Sequence, residues 1–131
     1  NLGMVSKVST GITITVETYY QPEYSNPVNG DFMFAYQIKM ENNNNFPVKI
    51  LRRHWYIFDS NGTKREVEGE GVVGVQPTIK PGDQYQYVSG CNLRSEMGKM
   101  HGNYLVENLH KRNTFSVAIP AFELQAPLKL N

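Results

Sequence analysis

Apolar and polar residues alternate with a period of two along most of the chain. Ile12, Ile14 and Val16 are separated by Thr13 and Thr15, so residues 12–16 read as a half-buried strand. Phe32, Phe34, Tyr36, Ile38 and Met40 share one face of a longer second strand. The third, from about Val48 to Asp59, breaks parity: Val48 and Ile50 fall on one face, Leu51, Trp55 and Ile57 on the other. A β-bulge near residues 51–53 would let both sets face one core, and it would redirect Arg53 and His54. Residues 63–68, 85–89, 100–106 and 115–119 supply further strands, with Phe122 and Leu124 in an extended tail.

Turn chemistry separates these runs. Residues 21–31 carry Pro22, Pro27 and Asn29-Gly30 and read as a loop; residues 42–45 form a polar turn before Phe46-Pro47. Asp59-Ser60-Asn61-Gly62 is a strong hairpin signal. No window of 11 or more residues has helical periodicity. About seven short strands with turns between them predict an all-β, antiparallel sandwich of the immunoglobulin-like or fibronectin type III-like kind. Trp55 fits the buried tryptophan of such sandwiches, and residues 79–83 resemble the turn before a late strand in them. Phe32, Phe34, Tyr36, Tyr85, Tyr87, Tyr104 and Phe115 sit where they would fill the core.

Composition narrows the function classes. The 131 residues suit one domain, from residue 4 to residue 131, with Asn1-Leu2-Gly3 ahead of Met4 read as an appended leader outside it. Thirteen basic and 12 acidic residues leave a net charge of +1, which gives no pull toward nucleic acid or an anionic membrane. No apolar run approaches the roughly 18 residues of a membrane span, and no export signal is present. Cys91 is the one cysteine, which excludes an internal disulfide framework and fits a reducing, cytoplasmic compartment.

The sequence Gly69-Glu70-Gly71-Val72-Val73-Gly74 spells G-x-G-x-x-G, the form of a dinucleotide-binding turn. That turn needs a buried strand before it and a helix after it, and Pro77 and Pro81 leave no room for the helix. Two explanations remain. The glycines supply backbone freedom or close approach where the chain bends between sheets, or their amides cradle phosphate or pyrophosphate. Glu66, Glu68 and Glu70, two apart and so on one face of an extended segment, weigh against a polyanion and favour the first. The same carboxylates are weak candidates for a divalent-cation site; a solvated edge face is the commoner meaning of such a row.

Arg52, Arg53, His54, Lys64 and Arg65 form the densest basic grouping and would converge across the Asn61-Gly62 hairpin. With Gly69, Gly71 and Gly74 they form the candidate site for an anion or an acidic partner, although cross-strand pairing with Glu66 and Glu68 is the simpler expectation. Cys91 and His101 would meet across a hairpin joining residues 85–89 to 100–106. Without a third orienting group the pair does not amount to a catalytic site.

The stretch Arg53-His54-Trp55-Tyr56-Ile57-Phe58-Asp59, Gly62, the run from Glu68 through Gly74 to Val75-Gln76-Pro77, Pro81-Gly82, Ser89-Gly90-Cys91 and Gly98-Lys99-Met100-His101-Gly102-Asn103-Tyr104 together resemble the ApaG family, over about residues 5 to 127. The resemblance implies an immunoglobulin-like or fibronectin-type sandwich. It also implies a domain that stands alone in bacteria and is fused to interaction modules in eukaryotes, among them an F-box protein and a polymerase-interacting protein. Bacterial members are associated with cobalt tolerance and magnesium efflux. The expectation is therefore a binding domain that is not an enzyme and needs no cofactor. It would recognise a protein partner, with an exposed sheet edge that would allow a homodimer. The alternative is a sensor of phosphate, pyrophosphate or nucleotide at the glycine loop.

Overall fold

The computed structural model describes residues 3–127. Asn1 and Leu2 of the expected leader lie outside the described residues, whereas the Gly3 carbonyl accepts a hydrogen bond from the Thr18 amide at 3.1 Å. Nine strands run in chain order among the described residues: β1 (Met4–Ser9), β2 (Ile12–Tyr20), β3 (Phe32–Asn42), β4 (Val48–Asp59), β5 (Lys64–Glu70), β6 (Thr78–Ile79), β7 (Gln84–Leu93), β8 (Met97–Asn108) and β9 (Thr114–Gln125). They form two antiparallel sheets, one ordered β1-β2-β3-β7 and the other β5-β4-β8-β9, with β6 added beside β4. The inner faces of the two sheets share one core that includes Ile14, Phe34, Ile38, Trp55, Tyr104 and Leu124, as the period-two pattern predicts.

Two departures from strict alternation shape the second sheet. In β4 the register against β8 shifts between Ile50 and Arg52, so Leu51 is the extra residue of a bulge. Val48 and Ile50 face the core before it and Trp55 and Ile57 face it after it. The expected tail is instead part of β9. Its register against β8 shifts between Met100 and Gly102, opposite Ile119 to Phe122, around Pro120, which has no N–H for the ladder. The extra residue there changes phase, so Val117 and Ile119, then Phe122 and Leu124, are all buried.

β1 is absent from the sequence reading because its pattern carries no signal. None of its six residues is buried and four are exposed, Val8 to 64%. It is ordered by pairing with β2 through the two-residue turn Thr10-Gly11. β1 and β2 lie against β9 and close one side of the sandwich. The other side is bounded by β5 and β7, each the last strand of its sheet.

The β4–β5 hairpin is tied to the crossing from β7 to β8 by Asp59. This buried carboxylate accepts from the Arg94 amide at 2.6 Å, from the Ser95 hydroxyl and from the Asn61 amide. Burial pushes the carboxyl up, but the hydrogen bonds from Ser95, Arg94 and Asn61, with the charge of Arg65, outweigh it and hold the acid below its ordinary value. A depressed folded value means that Asp59 stabilises the fold above the ordinary aspartate value of about 3.9, and that this contribution disappears as pH falls through the lower folded value. Asp59→Asn should therefore cost roughly 1–3 kcal/mol at neutral pH and flatten the acid limb of the stability curve, read by urea melts between about pH 2 and 7. An unchanged acid limb would show that Asp59 does not carry the dependence.

Candidate functional site

The β4 bulge, the glycine loop and the open side of the sandwich form one arrangement. Because Leu51 is extra, Arg53 joins Trp55 and Ile57 on the inner parity, and Arg52, His54, Tyr56 and Phe58 fall on the outer one. The β5 residues opposite them follow suit: Arg65, Val67 and Gly69 pair with Ile57, Trp55 and Arg53, while Lys64, Glu66, Glu68 and Glu70 pair with the outward set. The basic grouping expected from the sequence is thus split. Arg53, Arg65 and Gly69 meet at the space between the sheets; Arg52, His54 and Lys64 stand on the opposite face.

On that outer face Glu66 and Glu68 flank His54. His54 Nδ1 lies 3.1 Å from Glu68 Oε1, and Nε2 lies 3.5 Å from Glu66 Oε2. The His54 ring stacks on Tyr56 at 4.4 Å between centroids, and Tyr56 stacks on His101 at 5.0 Å. Among the described residues, no group of three or more His, Cys, Asp or Glu side chains is arranged to hold a metal ion. His101 therefore sits outside the second sheet, whereas Cys91 is buried on β7 of the first. The expected Cys91–His101 hairpin does not exist, because Arg94 to Glu96 carry the chain from one sheet to the other. Both strands are adjacent in sequence, and period-two patterning cannot tell a hairpin from a crossing.

The glycine loop is strapped to the bulge. The Leu51 carbonyl, freed from the regular ladder, accepts from the Gly71 amide at 2.7 Å and from Gln76 Nε2 at 3.0 Å. Val72 and Val75 exchange both backbone hydrogen bonds, at 2.7 and 3.1 Å, across Val73-Gly74. Val73 and Gly74 have φ of 45° and 81°, the signs of a type I′ turn. Gly71, at φ 59°, bends the chain so tightly that a Cβ there would lie 2.0 Å from the Val75 carbonyl oxygen. Gly69 serves a different need. The Arg53 guanidinium lies flat over it, and a Cβ would meet Nη1 at 2.7 Å. Arg53 Nη1 then donates to the carbonyls of Glu70 at 3.0 Å and Gly71 at 3.2 Å. The amides of Gly71, Val72 and Val75 are thereby used within the fold.

Between the edges of β5 and β7 is a cleft of about 290 Å³. Its lining includes Tyr36, Arg53, Trp55, Arg65, Val73, Tyr87, Ser89, Cys91 and Asn92. Among the described residues, its charged lining side chains are the two arginines. Arg65 Nη2 donates to the Asn92 carbonyl and approaches Cys91 Sγ at 3.4 Å. The Tyr87 and Tyr104 hydroxyls are 2.5 Å apart, and the Tyr36 hydroxyl is hydrogen-bonded with Ser89. Burial pushes the Tyr36, Tyr87 and Tyr104 phenols up. It also raises the Cys91 thiol against the opposing charge of Arg65. Sequence reading assigned these tyrosines to the core, correctly for their rings. The Tyr87 and Tyr104 hydroxyls meet only because β7 and β8, successive in the chain, lie in different sheets and face each other across the core.

These features define the class: an all-β sandwich domain in which a glycine loop is locked to a bulged strand beside an open, arginine-lined inter-sheet cleft. The ApaG domain profile matches residues 22–108. The chain is 43% identical over 124 residues to protein ApaG of Agrobacterium fabrum, covering 95% of each, and 46% identical over 123 residues to protein ApaG of Acidithiobacillus ferrooxidans, covering 94% of this chain and 96% of that protein. A crystal structure described as an ApaA protein from Bordetella pertussis superimposes with a TM-score of 0.86 at 36% identity, over 90% of this chain and 95% of that one. The chain belongs to the ApaG domain family.

Proposed function

We propose that this domain is a non-catalytic protein-recognition module that takes its partner along the open β5–β7 side. The observation that carries the reading is that, among the described residues, both sheets end there in an unpaired strand, with a cleft between them. An unpaired edge offers main-chain donors and acceptors to an extended segment of a partner. Val73 adds support: a β-branched residue at φ 45°, 60% exposed, is held in a costly backbone region where its side chain lines the cleft. The raised thiol and phenols keep their protons at neutral pH, which supports a binding role over a nucleophilic one. The buried, unbridged Cys91 fits a cytoplasmic setting. Phosphate or nucleotide capture by the glycine loop has less support, because the Gly71, Val72 and Val75 amides already have partners.

A photo-cross-linking residue placed at Val88, 59% exposed on β7, should capture a partner in cells several-fold more efficiently than one at Val8, 64% exposed on β1. Val73→Asn, which suits the turn better, should raise stability by roughly 0.5–1 kcal/mol and lower the yield at Val88. Equal yields at the two edges, or capture only at Val8, would overturn the assignment.

A further inference from the structure

We propose that the inter-sheet cleft binds a carboxylate carried on an apolar stem and presented by an extended acidic peptide, with Arg53 and Arg65 as its two forks; this rests on the recognition reading above. Charge is the first argument. Among the described residues, neither arginine has an ion-pair partner and no carboxylate lines the cleft. The glutamates of β5 point to the other side of the sheet. Asp59, whose charge Arg65 feels, has its oxygens engaged by Arg94, Ser95 and Asn61.

Preorganisation is the second argument. Each guanidinium is held by main-chain carbonyls through one nitrogen: Arg53 Nη1 on Glu70 and Gly71, and Arg65 Nη2 on Asn92. An arginine has five N–H donors in a planar fork, so each retains donors for a ligand while its position is already fixed. Little conformational freedom then remains to be lost on binding. Tyr87 lines the cleft, and its hydroxyl can donate to a ligand while accepting from Tyr104.

The walls select the rest of the ligand. Trp55, Ile57, Val67 and Met100 line the same cleft, which suits an apolar stem better than a hydrated inorganic ion. Its volume of about 290 Å³ lies near the lower limit of small-ligand pockets, roughly 300 Å³. The unpaired β7 edge beside it can extend the contact along a peptide backbone. A carboxylate in such a site meets charge-assisted, bidentate hydrogen bonds in a partly dry setting, where they are strongest.

Trp55, the one tryptophan of the chain, reports on the cleft directly. Titration with 3-phenylpropionate should change its fluorescence saturably in the millimolar range, and 3-phenylpropanamide should bind roughly tenfold more weakly or not at all. Arg65→Gln, at an exposed position, and Arg53→Lys, which keeps the charge but loses the fork, should each weaken carboxylate binding by a similar factor. Thermal melts identify any variant that has lost its structure. A peptide ending in a free leucine carboxylate, its amidated twin, and an amidated twin carrying an internal glutamate then separate a chain terminus from an acidic side chain as the source. Equal binding of acid and amide, tighter binding of inorganic phosphate, no saturable change, or an undiminished response in Arg65→Gln would each overturn the proposal. Cross-linking at Val88 that persists in Arg65→Gln would leave the recognition surface standing while removing the carboxylate site.

Discussion

Gly71→Ala will unfold a large fraction of the domain or lower its stability by roughly 2–5 kcal/mol. Two costs add. The left-handed backbone at φ 59° is disfavoured for any residue with a Cβ by about 1–2 kcal/mol. The new methyl would also lie 2.0 Å from the Val75 carbonyl oxygen, and forced overpacking typically costs about 1–3 kcal/mol. The Val75 carbonyl cannot yield cheaply, because it is backbone and belongs to a turn fastened to the Leu51 carbonyl. Gly74→Ala is the internal comparison. Gly74 also has positive φ, at 81°, but a Cβ there would meet nothing within 4 Å. It should lose only the conformational part, about 1–2 kcal/mol. Chemical denaturation of the two variants measures the difference. Equal losses would mean that the loop relaxes around Gly71 and that the close approach to Val75 is not what holds it.

Trp55→Ala should cost about 3–5 kcal/mol, the range for removing a buried large aromatic. Trp55 is 3% exposed and joins the two sheets. It meets Tyr36 of β3 edge-on at 5.4 Å and Phe122 of β9 at 5.8 Å. Its removal would leave a hole continuous with the cleft, and the melting temperature should fall by on the order of 10 °C or more. Trp55→Phe keeps an aromatic edge for both neighbours and should retain most of the stability. If alanine and phenylalanine prove equally destabilising, the contribution of Trp55 lies in its indole N–H rather than in packing.

These two residues also show how much could be read from the sequence. Trp55 was recognisable as core from its parity with Ile57 and from its strand, because burial on a strand repeats every second residue. The Leu51 bulge was recognisable for the same reason, as a break in that parity. Gly71 was recognisable as special but not as to why, since the atom it must avoid belongs to a carbonyl four residues later in a turn that only coordinates define. The basic cluster misleads in part: five neighbouring basic residues are expected to converge, but strand alternation sends Arg53 and Arg65 to one face and Arg52, His54 and Lys64 to the other. The parity rule contained that answer. What it lacked was the position of the extra residue to within one place, and a slip of one residue reverses every face.

β1 and the continuation of β9 mark another limit. An edge strand exposed on most of its length has no burial pattern to betray it, and Pro120 reads as an end where it is only a phase change. The sequence by itself determined the sandwich, its core residues and the family, because all three follow from local alternation, turn chemistry and an ordered run of anchors. The tertiary structure alone decided which strand ends each sheet, that Cys91 and His101 lie apart, and that two arginines share a cleft with Tyr36 and Tyr87. Those are pairings between segments up to about 60 residues apart in the chain, set by how two sheets form and stack, and no short-range pattern encodes them.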